Sequence, residues 1–307
     1  MDPRDASLGF YRVWLGAVGA REGLFDALTR ARSAGDLARA KGLDERAVGR
    51  WCRAAHAVGL LARDPGGRFR MPLGLVRPLA RPDDPAYLGH HYRYLAEKSL
   101  GFGAMSDLLR GKADRTDLSR TYAVATSWDH LAFFELALPR DAATRRLLAR
   151  GADVLDLGAG LGAWTREARR RFPRSRFVMA EVSPGEGQLA VADVPERAFD
   201  VVYLGEVLGA SGDPAAPLAT AARALRPGGV LHALEGLAPP RDREPRGWGE
   251  RLVLAMDFDF ALDGSRYLTT VEAAAALRAA GLVRCTMRDL GGSLFHLRAQ
   301  RPKRSSR

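Results

Sequence analysis

Residues Val154–Gly162 read Val-Leu-Asp-Leu-Gly-Ala-Gly-Leu-Gly, and Trp164–Arg171 follow as a helix-forming run. An apolar stretch broken by glycines at 158, 160 and 162 commits the chain to a buried strand that turns sharply into a helix. The spacing is not the Gly-x-Gly-x-x-Gly of dinucleotide folds, because the third glycine comes two residues after the second. The acid at the strand end, Asp156, would repel a pyrophosphate. It suits an ammonium or a sulfonium.

Strands alternate with helices on either side of this turn. The pattern predicts strands over 153–157, 176–180, 199–204 and 229–234, with helices over 164–171, 214–225 and 270–280. Residues 282–288 and 293–298 flank Leu290-Gly291-Gly292 and read as a β-hairpin. The fold class is therefore α/β: a Rossmann-like, doubly wound, mostly parallel sheet with an antiparallel C-terminal hairpin. Only 182–187 separate Glu181 from the next apolar stretch, Gln188–Asp193, whereas a parallel crossover takes about a dozen residues. The third strand is expected to be missing or antiparallel.

The amino-terminal part reads as helices. Ser33–Gly59 has a helix-turn-helix pattern with Asp44 as N-cap of the second helix, and Leu60–Met71 supplies two short strands around Asp64-Pro65-Gly66-Gly67, a wing. A Pro-rich hinge, Pro72–Pro85, leads to an aromatic helical region with Tyr92, Tyr94, Phe102, Trp128, Phe133 and Phe134. The expected organisation is an α-helical winged-helix domain over 1–95, a helical linker and cap over 96–150, the sheet domain over 151–298 and a disordered basic tail over 299–307. Cys52 and Cys285 match no metal spacing and read as small buried hydrophobes, so neither a metal nor a disulfide is expected.

Net charge is +11, but Arg298–Arg307 carries five basic residues and no acid, which leaves +6 for the other 297 residues. A nucleic-acid partner is not expected from so mild an excess. No stretch approaches the roughly 20 apolar residues of a membrane span, and the start, Met-Asp-Pro-Arg-Asp, is unlike a secretory signal. The expectation is a cytoplasmic protein without membrane contact.

With Glu181 standing 25 positions after Asp156 at the end of the next strand, and Arg226-Pro227-Gly228-Gly229 entering another, Val154–Gly162 resembles the first motif of class I S-adenosylmethionine-dependent methyltransferases. Gly23-Leu24-Phe25-Asp26-Ala27-Leu28, Leu37-Ala38 and Val58-Gly59-Leu60-Leu61 narrow the resemblance to small-molecule O-methyltransferases of the plant caffeate and bacterial polyketide-tailoring type. The resemblance implies S-adenosylmethionine as cofactor and a small aromatic or polyketide-like acceptor. It implies a homodimer formed through the winged helix, which would not bind DNA. Cofactor contacts would fall to Asp156, Gly158 and Gly160 for the methionine part, Glu181 for the ribose, Asp193 for the adenine, and the main chain of Leu204 and Gly205. Trp128 and Phe134 would line the acceptor site.

The chain departs from that family in two further places. Gly209 stands where a catalytic His is usual, and Gly205 where a Lys often binds the cofactor carboxylate. Replacement bases are Glu235, Asp257 or Asp259 and His130, among which the sequence does not choose; His90, His91 and His232 are weaker. Two alternatives stay open: a relative that binds the cofactor but catalyses a non-methylating reaction, and a winged-helix DNA-binding ligand sensor using Arg46, Arg50 and Arg53.

Overall fold

The computed structural model describes residues 3–84, 86–101, 127–241, 244–260 and 264–303; the side chains of 3, 4, 101, 127, 128, 258 and 259 are outside the description. Phe102, Trp128 and the Asp259 carboxylate therefore lie outside it, as do residues 304–307. The described residues form two compact units, one of Met1–Gly103 with Leu118–Trp128 and one of Ala104–Asp117 with Asp129–Arg307.

The first unit opens with α1 (Pro3–Arg21) and α2 (Leu24–Ala27), followed by α3 (Ala34–Lys41) and α4 (Glu45–Ala57). Ser33 and Asp44 cap α3 and α4, accepting from the amides of Asp36 and Ala47. Leu24, Phe25, Leu37, Val48, Trp51, Cys52 and Ala55 close the core of this unit. Arg46, Arg50 and Arg53 are exposed on the opposite face of α4. The wing is present as β1 (Ala62–Arg63) and β2 (Phe69–Arg70), paired antiparallel, with Arg32 bridging to Phe69. The expected Pro-rich hinge is instead partly helical: α5 (Leu73–Ala80) forms with Pro72 as its N-cap residue and Pro78 in its last turn. Pro72 at the helix start loses no hydrogen bond, and Pro78 gives up one rung of a short helix without ending it, so composition alone misreads this stretch. α6 (Gly89–Lys98) completes the unit.

Next in the chain come α7 (Ser127–Ala132), which enters the second unit at Asp129, a π turn over Phe133–Ala137 and α8 (Ala142–Arg150). It continues through β3 (Asp153–Leu157), α9 (Ala163–Arg171), β4 (Arg176–Glu181), β5 (Gln188–Ala190), β6 (Phe199–Gly205), α10 (Ala215–Ala224), β7 (Leu225–Ala238), α11 (Gly247–Phe260), β8 (Leu268–Thr269), α12 (Thr270–Ala279), β9 (Val283–Gly291) and β10 (Leu294–Gln300). The sheet order is β5-β4-β3-β6-β7-β10-β9, with β8 added beside β7. β3, β4, β5, β6 and β7 run parallel, and β10 pairs antiparallel with both β7 and β9. Val154, Leu155, Val201, Val202, Tyr203 and Leu204 are buried, as parallel strands covered on both faces require. The expected Arg226–Gly229 turn is an excursion inside the longer β7: Leu225 pairs with Phe199, and pairing resumes at Val230 opposite Val201.

Two expectations are corrected here. The strand after Glu181 is neither missing nor antiparallel: β5 lies parallel to β4, with Gln188 beside Met179 and Ala190 beside Glu181. The dozen-residue requirement applies to a return along a full strand. Because β5 begins level with Met179, the chain doubles back only about 7–10 Å, within reach of residues 182–187. The basic tail begins later than 299. β10 runs to Gln300, and the Arg301 amide donates to Gly229 O at 2.9 Å while its side chain reaches Arg223 O at 2.8 Å. Arg298, just before it, is fixed by its Nε to Asp141 Oδ2 at 2.6 Å.

Among the described residues no helix is long and apolar enough to cross a membrane, and no group of His, Cys, Asp or Glu is arranged to hold a metal ion.

Candidate active site

The carboxyl ends of β3, β4, β6 and β7 lie side by side, the edge at which open α/β sheets bind ligands. Gly158 leaves β3 at φ 76°, a left-handed conformation, and a Cβ there would stand 2.5 Å from Val207. Only glycine fits that step. The amides of the turn are tied to β4: Gly158 N donates to Ala180 O at 2.9 Å, and Gly160 N donates to Glu181 Oε2 at 2.9 Å. Glu181 Oε1 also accepts from its neighbour Val182 N. Sequence reasoning missed Gln188, whose Nε2 donates to Gly160 O at 2.8 Å and clamps the turn from β5. Nothing local marks it, because the contact depends on the register of β5.

Asp156 is 2% exposed and accepts from Thr165 Oγ1 at 2.6 Å. Burial pushes its carboxyl up to about 7, against the pull of the Thr165 hydrogen bond and with a further push from Glu181. The charged group acting on it is thus another carboxylate. Asp193 is exposed, in the 3-10 turn that follows β5. Leu204 is buried with its main chain paired to Ala233, and Gly205 pairs with Leu234.

Beside Gly205 lies His130 of α7. A Cβ on Gly205 would stand 3.0 Å from His130 Cε1 and 3.0 Å from Tyr203 Oη, so the space that a side chain at 205 would enter is taken. His130 Nδ1 is 3.3 Å from Tyr203 Oη. Burial, then Arg166, lower this imidazole to about 4, so it is neutral at pH 7. Its neighbour Asp129 is 3% exposed, its Oδ1 has no hydrogen-bond partner among the described residues, and burial followed by Glu206 and Glu235 holds its carboxyl well above the usual range.

The other candidates are engaged in structure. Glu235 Oε1 accepts from Val207 N and Leu208 N, each at 2.9 Å, and ties the turn after β6 to the end of β7. Burial, then Glu206, raises this carboxyl to about 8. Asp257 Oδ1 accepts from Tyr267 N at 2.7 Å. Phe134 is 3% exposed, stacked on Trp164 with Arg171 4.9 Å over its ring, so the ring is covered by protein rather than open to an acceptor. Trp164 in turn stacks on Tyr203 at 4.1 Å. His232 is fully buried against Thr144 and His296. His90 and His91 lie on α6, in the other unit. Gly209 is closed from outside: a Cβ there would overlap the main-chain oxygen of Arg266.

A family model described as a methyltransferase domain matches residues 113–283, more than half of the chain. The chain belongs to this methyltransferase family. An O-methyltransferase family protein from Burkholderia thailandensis has a similar solved structure, with TM-score 0.67, 19% identity, and coverage of 99% of this chain and 98% of that one. Human N-acetylserotonin methyltransferase, solved in complex with S-adenosylmethionine, gives TM-score 0.68 and 17% identity over 98% of this chain and 96% of its own. At such identities the likeness is one of fold. Malonyl-[acyl-carrier protein] O-methyltransferase of Hahella chejuensis is 28% identical over 145 residues, 41% of this chain and 52% of the relative. The methyltransferase chain thus spans about half the length of the curated relative it matches.

Proposed function

We propose that the chain transfers the methyl group of S-adenosylmethionine to a small acceptor of aromatic or polyketide-like kind. The observation that carries this reading is the buried Asp156 carboxylate, raised by burial and by Glu181, beneath a glycine turn whose Gly160 amide is held by Glu181. Such a carboxyl fits a ligand that brings its own positive charge. When bound, the cofactor supplies an electrophilic methyl carbon on a positively charged sulfur. Asp156 balances that charge, and Gly158 and Gly160 let the main chain approach without a Cβ in the way. Glu181 keeps lone pairs for the two ribose hydroxyls while its oxygens hold the amides of Gly160 and Val182. Asp193 takes the adenine side, and the main chain of Leu204 and Gly205 the remaining edge.

The same reading takes the protein as a homodimer. Leu8, Phe10, Tyr11, Trp14 and Val18 of α1 are large apolar side chains left exposed in the first unit, between 41% and 60%. A partner copy would cover them.

Calorimetric titration with S-adenosylmethionine and S-adenosylhomocysteine tests the cofactor site. Wild type should bind both, and Asp156→Ala and Glu181→Ala should each lose tenfold or more in affinity. Absence of binding in the wild type would overturn the reading, as would turnover of an acceptor with no S-adenosylhomocysteine formed.

A further inference from the structure

Methyl transfer to a hydroxyl or an amine releases a proton, and a positioned base that takes it typically gives about 10²- to 10⁴-fold in rate. Gly209 cannot carry one. Arg266 O fills its Cβ direction, Arg266 N donates to Gly209 O at 3.2 Å, and Ser265 Oγ donates to Ala210 O at 3.2 Å. The segment over 264–267 is thus laid against the turn where a base would have to emerge.

Most other titratable side chains at this edge serve the fold. Glu235 holds the amides of Val207 and Leu208, Glu206 Oε1 accepts from Gly236 N at 2.9 Å, and Asp257 holds Tyr267 N. Asp129 is sealed at 3% exposure. His130 differs from all of these. The residue keeps partial exposure, it sits against the end of β6 beside Gly205, and its Nδ1 faces Tyr203 Oη.

We propose that His130, carried on α7, is the general base of this methyltransferase. The assignment rests on the reading of the chain as a methyl-transferring enzyme. In the tautomer in which Nδ1–H donates to Tyr203 Oη, Nε2 keeps its lone pair. As the acceptor heteroatom forms its bond to the methyl carbon, the carbon–sulfur bond breaks with its electron pair going to sulfur, and the acceptor proton passes to His130 Nε2. An imidazolium that burial and Arg166 disfavour then returns the proton readily to water. Gly205 belongs to the same arrangement, because a side chain there would displace the His130 ring.

The test compares wild type with His130→Gln on a panel of phenols and amines, with S-adenosylhomocysteine affinity measured on both proteins. The expected result is a kcat lowered about 10²- to 10⁴-fold with KM and cofactor affinity little changed, and partial rescue of His130→Ala by added imidazole. Independently of turnover, nitrogen-15 NMR of the wild-type imidazole should show the proton on Nδ1. Unchanged kcat in His130→Gln, or a wild-type imidazole protonated on Nε2 at neutral pH, would overturn the assignment. If His130→Gln no longer binds S-adenosylhomocysteine, the tautomer in wild type alone decides for or against the base. Cofactor binding by wild type with no methyl transfer to any acceptor would instead defeat the proposed function, and the base with it.

Discussion

Arg266 places its main-chain oxygen too close to where a Cβ at 209 would lie for any residue other than glycine to fit. Gly209 and Arg266 are also joined by the hydrogen bond from Arg266 N to Gly209 O. The pair locks the turn after β6 to the segment that leads into β8, and substitution at 209 must move one or the other.

Gly209→His is therefore expected to be destabilising rather than restorative. Forcing a side chain into a packed backbone contact costs about 1–3 kcal/mol. Thermal unfolding should show a lowered Tm, and methyl transfer should not rise. An increase in kcat would show that the segment over 264–267 yields easily and that the turn can present a base after all.

Cofactor binding should release a proton near neutral pH. Asp156 has its carboxyl pushed up to about 7 by burial and by Glu181, so the free protein is part-protonated there, and a cationic ligand favours the carboxylate. Affinity for S-adenosylmethionine should rise from pH 6 to pH 8. Calorimetry in two buffers of different ionisation enthalpy should detect the released proton in wild type and lose that component in Asp156→Asn. Equal proton release by both proteins would place the titrating group elsewhere.

The His232–His296 pair sets an acid limit on stability. His232 is lowered to about 3, by burial first and then by His296, and His296 to about 4, by burial first. Both are neutral in the folded chain and take up protons near 6.5 once unfolded. Their stabilising contribution is complete above that value and is lost as pH falls toward 4 and below, with each His giving a slope of up to about 1.4 kcal/mol per pH unit. Denaturant unfolding of wild type and His296→Gln between pH 7 and pH 4 should show the shallower dependence in the variant. Parallel curves would show that the pair does not titrate with unfolding.

Truncation should locate the point at which the chain end begins to support the sheet. Removing 299–307 takes the last rungs of β10 and the Arg301 contacts to Gly229 and Arg223, and should lower Tm by several degrees.

If α1 is the dimer contact, Tyr11→Glu with Val18→Glu should convert a species of twice 33.3 kDa into one of 33.3 kDa in light scattering. An unchanged mass would place the interface elsewhere.

Much of the second unit was legible in the sequence because its signals are local. The apolar run Val154–Leu157, the glycines after it and the acid Glu181 at the next strand end each declare themselves within a few residues. β5 was misread because spacing counts residues and not the level at which a strand begins. Gln188 and His130 were harder for the same underlying reason. Gln188 meets Gly160 from 28 positions away and His130 meets Tyr203 from 73, through tertiary contacts that leave no periodic trace. The closing of Gly209 by Arg266 is likewise a backbone event, invisible to a reading of side chains.

The clamp from Gln188 to Gly160 gives the outermost strand a task unusual for its size. β5 has three residues and, among the described residues, one parallel neighbour, so it is anchored by its pairing with β4 and by the Gln188 side chain. Sheet margins of this kind fray before the interior does. When β5 frays, the glycine turn loses an outer tether while the interior of the sheet stays closed. Heating or mild denaturant should therefore loosen the turn in an early, separate event, visible as hydrogen exchange at 188–190 well below the midpoint of global unfolding.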